Sequence, residues 1–278
     1  MWVTERLKPK NWNGTRVRNK QHKMNGHRLT IWKQSDSKLV GYERTIRDDR
    51  EITLLRPDII KYDWWKALEQ IPPMSCVDGE AYTEFGNAGS AAHAIAECLP
   101  TLEFMPFAVP WWNNENKFDR TLRQTDAALN TYTGLKLAPF FKLMEHDTEE
   151  LLIKDAIDLG IEGWVLKEAN YLSWWKVKPT YPIDAIITGL KWAEQGKYLG
   201  AVGSLLCSIY IKGELVEIAC VSGMDDKTRW DLDEKDIGRV IEIEYQELGN
   251  GNRLIHPRFS QWRDDKPASE CTYKWSEI

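Results

Sequence analysis

The sequence predicts an α+β domain of antiparallel sheets with flanking helices, followed by a small all-β domain. Three observations lead there. Between Arg28 and Lys167, runs with the two-residue period of strands alternate with runs at helical spacing. The stretch Pro179-Thr180-Tyr181-Pro182 then interrupts the pattern. Beyond it, apolar runs shorten to strand length and are separated by turns rich in glycine and asparagine.

Arg28 to Trp32 alternates as a strand, with Lys38 to Thr45 as its hairpin partner. Tyr62 to Gln70 suits a short helix stopped by Pro72-Pro73. Ser75 to Tyr82 reads as a strand, Ala91 to Cys98 as a small helix, and Leu102 to Val109 as an apolar strand ended by Pro110. Thr148 to Leu159 has helical spacing and leads into a strand at Gly163 to Lys167. The boundary is placed to give domains 1–181 and 182–278. The second holds strands at Ala185 to Trp192, Gly203 to Lys212, Glu214 to Val221 and Val240 to Leu248, punctuated by Lys212-Gly213 and Gly249-Asn250-Gly251-Asn252. Roughly five short strands in about a hundred residues fit an OB-type barrel better than a sandwich.

Composition bounds the function classes. A chain of 278 residues with 42% hydrophobic residues can bury two ordinary cores. No apolar run reaches the length of a membrane-spanning helix, and the first residues lack the apolar core of a secretory signal. Five scattered cysteines, with no CxxC pair, argue against a disulfide framework or zinc site and point to a reducing compartment. The net charge of −5 excludes a uniformly basic nucleic-acid binder. Residues 1–50 nevertheless carry thirteen Lys and Arg against five Asp and Glu. Such a face can bind a phosphate backbone locally, or simply keep the segment solvated.

Four charged signatures follow in a fixed order: Lys23-Met24-Asn25-Gly26-His27-Arg28, Asp78-Gly79-Glu80, Glu162-Gly163-Trp164-Val165-Leu166-Lys167, and Trp175-Lys176-Val177-Lys178-Pro179. Taken singly, Lys23 reads as one exposed lysine among many, and the carboxylate–glycine pairs read as turns at strand ends. The Lys176/Lys178 pair is more specific. Alternation puts both on one strand face, where they repel each other unless a polyanion lies between them. Phe107 can stack on a base or belong to the core, and the Trp-Trp pairs at 64–65, 111–112 and 174–175 read as packing. Together the signatures supply a lysine to attack, carboxylates for a sugar and a metal, and lysines for phosphate. That is the inventory for moving a nucleotidyl group.

The series resembles the ATP-dependent DNA ligases, within the covalent nucleotidyltransferases that include RNA ligases and capping enzymes. Lys23, Gly26 and Arg28 match the family pattern K-x-D-G-x-R, with Asn25 standing where DNA ligases usually carry Asp. Arg44 fits the arginine of the next family segment. Asp78-Gly79-Glu80, Phe107, Glu162 to Lys167, and Lys176 with Lys178 fit the segments after it. Gly196 to Leu205 is similar to the opening hairpin of the family's OB domain, and His256 to Phe259 with Arg263 to Lys266 is similar to its last motif. The resemblance covers about residue 20 to residue 267.

The resemblance implies that Lys23 attacks the α-phosphate of ATP to form lysyl-AMP. AMP then passes to the 5′-phosphate of a nick, and the 3′-hydroxyl displaces it. Lys23, Arg28, Lys176 and Lys178 would be catalytic. Gln21, Lys23, Arg28, Arg44, Glu80, Phe107, Glu162, Lys167, Lys176, Lys178, Arg263 and Lys266 would bind the nucleotide, with Phe107 on the adenine and Arg263, Asp265 and Lys266 orienting pyrophosphate. Glu80 and Glu162 would hold Mg²⁺, or Mn²⁺. A hinge is expected near Pro179 to Ile183. The expected protein is a minimal, monomeric ligase of viral or bacterial type without an appended domain, acting on nicked duplex DNA in the cytoplasm (the host's, if viral). Two alternatives stay open. An RNA strand ligase is favoured by Asn25 and opposed by Arg258 to Lys266; a non-catalytic OB-fold binder is opposed by the intact Lys23, Lys176 and Lys178.

Overall fold

A computed structural model describes residues 9–43, 59, 61–84, 88–116, 121–168 and 174–272, and the structural statements below concern these. The chain divides into two units, Met1–Pro179 and Thr180–Ile278.

The first unit runs β1 (Lys10–Asn11), β2 (Asn19–His22), β3 (His27–Ser35), β4 (Lys38–Glu43), α1 (Asp63–Leu68), β5 (Ser75–Thr83), α2 (Ala88–Glu97), β6 (Leu102–Trp112), β7 (Glu115–Asn116), α3 (Leu122–Thr133), β8 (Phe140–Lys142), α4 (Glu149–Asp158), β9 (Trp164–Lys167) and β10 (Trp174–Val177). Its strands form two five-stranded sheets, in the orders β1-β10-β9-β2-β8 and β4-β3-β5-β6-β7.

Alternation decides what each face of the second sheet meets. Leu29, Ile31, Val77 and Ala81 point one way and are buried with Trp65, Leu68, Ala94 and Leu129 from α1, α2 and α3. Arg28, Thr30, Asp78 and Glu80 point the other way, in the pairs Arg28↔Glu80 and Thr30↔Asp78. The strand expected to end at Pro110 continues to Trp112. Val109 and Pro110 stand opposite the single residue Val77 at a slip in the β5–β6 register, where the ladder asks no N–H of proline.

Helix α3 has few apolar residues and escapes the periodicity argument. Local chemistry defines it instead: a capping box between Thr121 and Gln124 starts it, and Gly134 in the left-handed region ends it. Helix α4 starts on the Thr148 side chain and carries Glu149 and Glu150 in its first turn.

The second unit runs β11 (Tyr181–Trp192), β12 (Val202–Ile211), β13 (Glu214–Val221), α5 (Asp226–Asp231), β14 (Val240–Tyr245), β15 (Glu247–Leu248), β16 (Leu254–Ile255) and β17 (Arg258–Trp262). Five strands pair in the order β13-β12-β11-β14-β17, antiparallel throughout. The two edges meet at one isolated bridge, Ser222↔Arg258, where Phe259 N donates to Ser222 O at 2.8 Å. Pro182 does not break the strand pattern as expected; it lies within β11, opposite Glu244. The run Val240 to Leu248 is split at Gln246. Among the described residues no helix is long and apolar enough to cross a membrane.

Candidate active site

The sheet containing β9 and β10 separates apolar from functional side chains. Trp164, Leu166, Trp175 and Val177 occupy one face and pack on Leu152 and Ala156 of α4. The opposite face carries Gln21, Val165, Lys167, Trp174 and Lys176. It meets the polar face of the other sheet: Lys167 Nζ donates to Phe107 O at 2.8 Å, and the Arg28 guanidinium lies 5.9 Å from the Trp174 ring.

Two motif glycines let the strands approach. Gly163 has φ +146°, and a Cβ there would lie 2.3 Å from Val177 O. Its carbonyl accepts from Lys23 N at 2.9 Å, which fixes the backbone of the candidate nucleophile. A Cβ on Gly26 would lie 2.2 Å from Ala81 O and 2.9 Å from Glu80 Cγ. Any larger residue would push the Lys23 turn away from β5.

Two of the lysines share one carboxylate. Lys23 Nζ donates to Glu162 Oε2 at 2.5 Å, while Lys178 Nζ pairs with Glu162 Oε1. Lys23, Lys178 and Glu162 side chains are 21%, 16% and 15% exposed, so water screens the cluster only in part. Glu80 belongs to the same electrostatic group. Burial pushes its carboxyl up to about 7, the Lys23 charge opposes that shift, and Glu162 adds to it.

Lys167 lies against an aromatic pair. Phe107 and Trp174 meet edge-on with ring centroids 5.7 Å apart. Lys167 Nζ sits 4.0 Å from the Trp174 ring and 5.1 Å from Phe107. It also donates to Gln21 Oε1, while Gln21 Nε2 donates to Ala138 O at 2.8 Å. Lys167 is fully buried, and burial holds its amine well below the usual lysine range.

Several expectations change. Asp78-Gly79-Glu80 lies inside β5 rather than at a strand end. Its Asp78 is buried and fully engaged, accepting from Thr30 Oγ1 at 3.1 Å and holding both Nε and Nη2 of Arg28. Arg28 is thus tied to a carboxylate here, and both ends of the Gln21 amide have protein partners. Arg44 lies outside the described residues. Lys176 is half-buried on the same face as Trp174.

Arg263 and Lys266 belong to the second unit, where both bind Asp184. Arg263 Nη1 lies 2.8 and 2.9 Å from its two oxygens, and Lys266 Nζ lies 2.6 Å from Oδ2. The other edge of Arg263 forms a two-pronged pair with Asp265, at 3.0 Å for each bond. The Asp265 hydrogen bonds lead in holding the Arg263 pKa above its ordinary range.

The alternation that puts Lys176 and Lys178 on one face also puts Trp174 there, where it packs on Phe107 and Lys167. Asp184 stands alone in the sequence, and only the β11–β14–β17 register reveals its partners.

Among the described residues no group of three or more His, Cys, Asp or Glu could hold a metal. Glu80 and Glu162 are electrostatically coupled carboxylates, and Mg²⁺ commonly binds one or two carboxylates with water and substrate phosphates completing its shell.

Comparison with known proteins supplies the family context. Residues 195–263 match the family model of the DNA ligase OB-like domain. Over 211 residues the chain is 28% identical to a DNA ligase of Methanoculleus marisnigri, covering 64% of this chain and 38% of that protein. A DNA ligase of enterobacteria phage T3 is 22% identical over 148 residues, covering 48% of this chain and 43% of that one. The chain thus spans less than half the length of these relatives. A Lig E DNA ligase structure aligns with a TM-score of 0.66 at 18% identity, over 92% of this chain and 98% of that one. A second structure, Pmar-Lig_Pre, aligns with a TM-score of 0.69 at 16% identity, over 89% of this chain and 63% of that one. At these identities the structural likeness speaks for the fold.

Proposed function

We propose that the protein is an ATP-dependent DNA ligase that seals 5′-phosphate/3′-hydroxyl nicks through a lysyl-AMP intermediate, with residues 1–181 as adenylation domain and 182–278 as OB domain. One observation carries the reading: Lys23 and Lys178 share Glu162, Glu80 belongs to the same electrostatic group, and Lys167 lies against the aromatic pair Phe107 and Trp174. A purine stacked on Phe107 would direct its triphosphate toward these lysines. The bridge between β13 and β17 supports a closed OB barrel, and the DNA ligases among the relatives support DNA over RNA as the strand joined.

In this reading Lys23 Nζ, as the neutral amine, attacks the α-phosphorus of ATP. The P–N bond forms as the bond to the bridging oxygen breaks, and pyrophosphate leaves. Glu162 Oε2 is within reach to take the amine proton. Lys176 and Lys178 offset charge developing on the phosphoryl oxygens. A divalent ion held by Glu80 and Glu162 would neutralise the polyphosphate. The nick's 5′-phosphate then takes AMP from Lys23, and the 3′-hydroxyl displaces it. Asn25 keeps the size and acceptor oxygen of aspartate without its charge.

The test is incubation with ATP labelled at the α-phosphate, with and without Mg²⁺, followed by peptide mass spectrometry. A phosphoramidate on Lys23 is expected. An adduct elsewhere, or none with any divalent ion, overturns the reading. Faster sealing of an all-RNA nick than of a matched DNA nick would make the protein an RNA strand ligase.

A further inference from the structure

One face of the β3–β5 pair carries a chain of hydrogen bonds whose first two members, Thr30 and Asp78, have no part in the chemistry proposed above. Thr30 and Asp78 stand opposite each other across the two strands, and Arg28 lies two residues before Thr30 on the same face. Asp78 Oδ1 accepts from Thr30 Oγ1 at 3.1 Å and from Arg28 Nε at 3.0 Å, while Oδ2 accepts from Arg28 Nη2. Thr30 and Asp78 are both buried. The neighbours Leu29 and Ile31 turn the other way, into the core.

This arrangement fixes a plane. Two bonds to one carboxylate set the orientation of the Arg28 guanidinium, which lies 5.5 Å from the Phe107 ring and 5.9 Å from the Trp174 ring. The carboxylate that sets the plane must itself be kept from turning, because the last torsion of aspartate is soft. Diagonal neighbours on an antiparallel pair stand about 7–8 Å apart, farther than residues directly opposite. Asp78 therefore leans along the sheet to reach Arg28, and the Thr30 hydroxyl holds it from the opposite position. A hydroxyl on a carboxylate makes a charge-assisted bond, about twice as strong as a neutral one. Packing alone would be met by valine, which has nearly the same outline and suits a strand equally well. The hydroxyl is what Asp78 uses.

We infer that Thr30 is a positioning residue for the nucleotide chemistry: its hydroxyl holds Asp78, and Asp78 holds the Arg28 guanidinium in the plane it presents to the nucleotide. This rests on the reading of the protein as a lysyl-AMP-forming ligase. Thr30 itself touches no substrate. All three side chains stand on one sheet of the first unit.

The experiment follows formation of the Lys23 adduct on the full chain, with ATP labelled at the α-phosphate, in wild type, Thr30→Val and Thr30→Ser. Valine keeps the outline and loses the hydroxyl; serine keeps the hydroxyl and loses the methyl. Thr30→Val should lower kcat/KM for adduct formation by about tenfold, and Thr30→Ser should stay within about threefold of wild type. A packing role gives the reverse order, with serine the worse variant, and overturns the inference. Equal losses in the two variants, or no loss in Thr30→Val, overturn it as well. If melting curves show Thr30→Val unfolded at the assay temperature, Thr30→Ala against Thr30→Ser carries the same comparison, since alanine and serine differ by the hydroxyl alone. The route is tested in Arg28→Lys protein, whose ammonium has no plane to hold. There Thr30→Val should cost no more than about twofold further, and a second tenfold loss overturns the route through Arg28. No adduct on the wild type overturns the proposed function and this inference with it. A wild-type adduct that Thr30→Val forms equally well overturns this inference alone.

Discussion

Glu80 in the first unit and Arg263 in the second are both charged groups in the proposed nucleotide chemistry, and they are perturbed by opposite means. Burial leads in raising Glu80, and the neighbouring Lys23 only partly offsets it. Hydrogen bonds to Asp265 lead in raising Arg263, and burial works against them. The first site is made by two sheets closing on charges that water would otherwise stabilise. The second is made by local pairing along one sheet, with water close by. A site of the first kind depends on backbone approach and on the whole fold of its unit. A site of the second kind depends on which carboxylate is present, and salt weakens it.

The largest effects should fall where burial and chemistry coincide. Lys23→Ala should abolish adduct formation while leaving the melting transition of the protein in place. Lys23→Arg should fail equally, because a guanidinium stays protonated and cannot attack. An adduct on either variant, seen by mass spectrometry, would move the chemistry to another side chain. Gly163→Ala comes next. The added methyl would sit 2.3 Å from Val177 O at a φ of +146°. The strain should lower unfolding free energy by about 3 kcal/mol or more in denaturant titrations. A loss below about 1 kcal/mol would mean that β10 can move away without cost.

These two residues also show how far the sequence can be read. Lys23, Glu162 and Lys178 come together in the structure, and the sequence already set them in one chemical inventory. The strands carrying Arg28, Asp78 and Lys167 were legible because alternation is local. What escaped depends on contacts between distant segments. Asp78 looked like a sugar or metal ligand of a turn, yet it sits within β5 and serves Arg28 and Thr30. That Trp174 packs on Phe107 follows only from the opposite sheet meeting it. Asp184 meets Arg263 and Lys266 across the register of β11, β14 and β17, which no local period encodes. Helix α3 was invisible for a different reason: its signal lies in capping at Thr121 and Gly134 rather than in an apolar stripe.

Glu80 gives a subtler separation of the two regions. Its carboxyl is raised from 4.5 to about 7 in the folded protein. Between those values the folded protein keeps a proton that the unfolded chain releases. The stability held through Glu80 is therefore present at the acid end and lost as pH rises through about 7. Glu80→Gln cannot ionise. In EDTA, its stability relative to wild type should rise between pH 4.5 and 8 by about 2 kcal/mol, allowing for a side chain that is only half-buried. A flat difference across that range would show that the two sheets admit enough water to solvate the carboxylate.

The smallest effect is expected at Asp264, and it tests the other side of the contrast. Arg239 lies 2.8 and 3.0 Å from the two oxygens of Asp264, and the bonds look strong on distance alone. Asp264 is 66% exposed, however, and Arg239 keeps Asp236 at 2.8 Å and the Trp262 ring at 3.7 Å when that partner is removed. Asp264→Asn should therefore change unfolding free energy by no more than about 0.5 kcal/mol. The difference should shrink further when salt rises from about 0.1 M to about 1 M and the screening length falls from about 10 Å to about 3 Å. A loss above about 1 kcal/mol that persists at high salt would mean the pairs of the second unit are as sheltered as those around Glu162. The distinction between a site built by burial and one built by pairing would then fail.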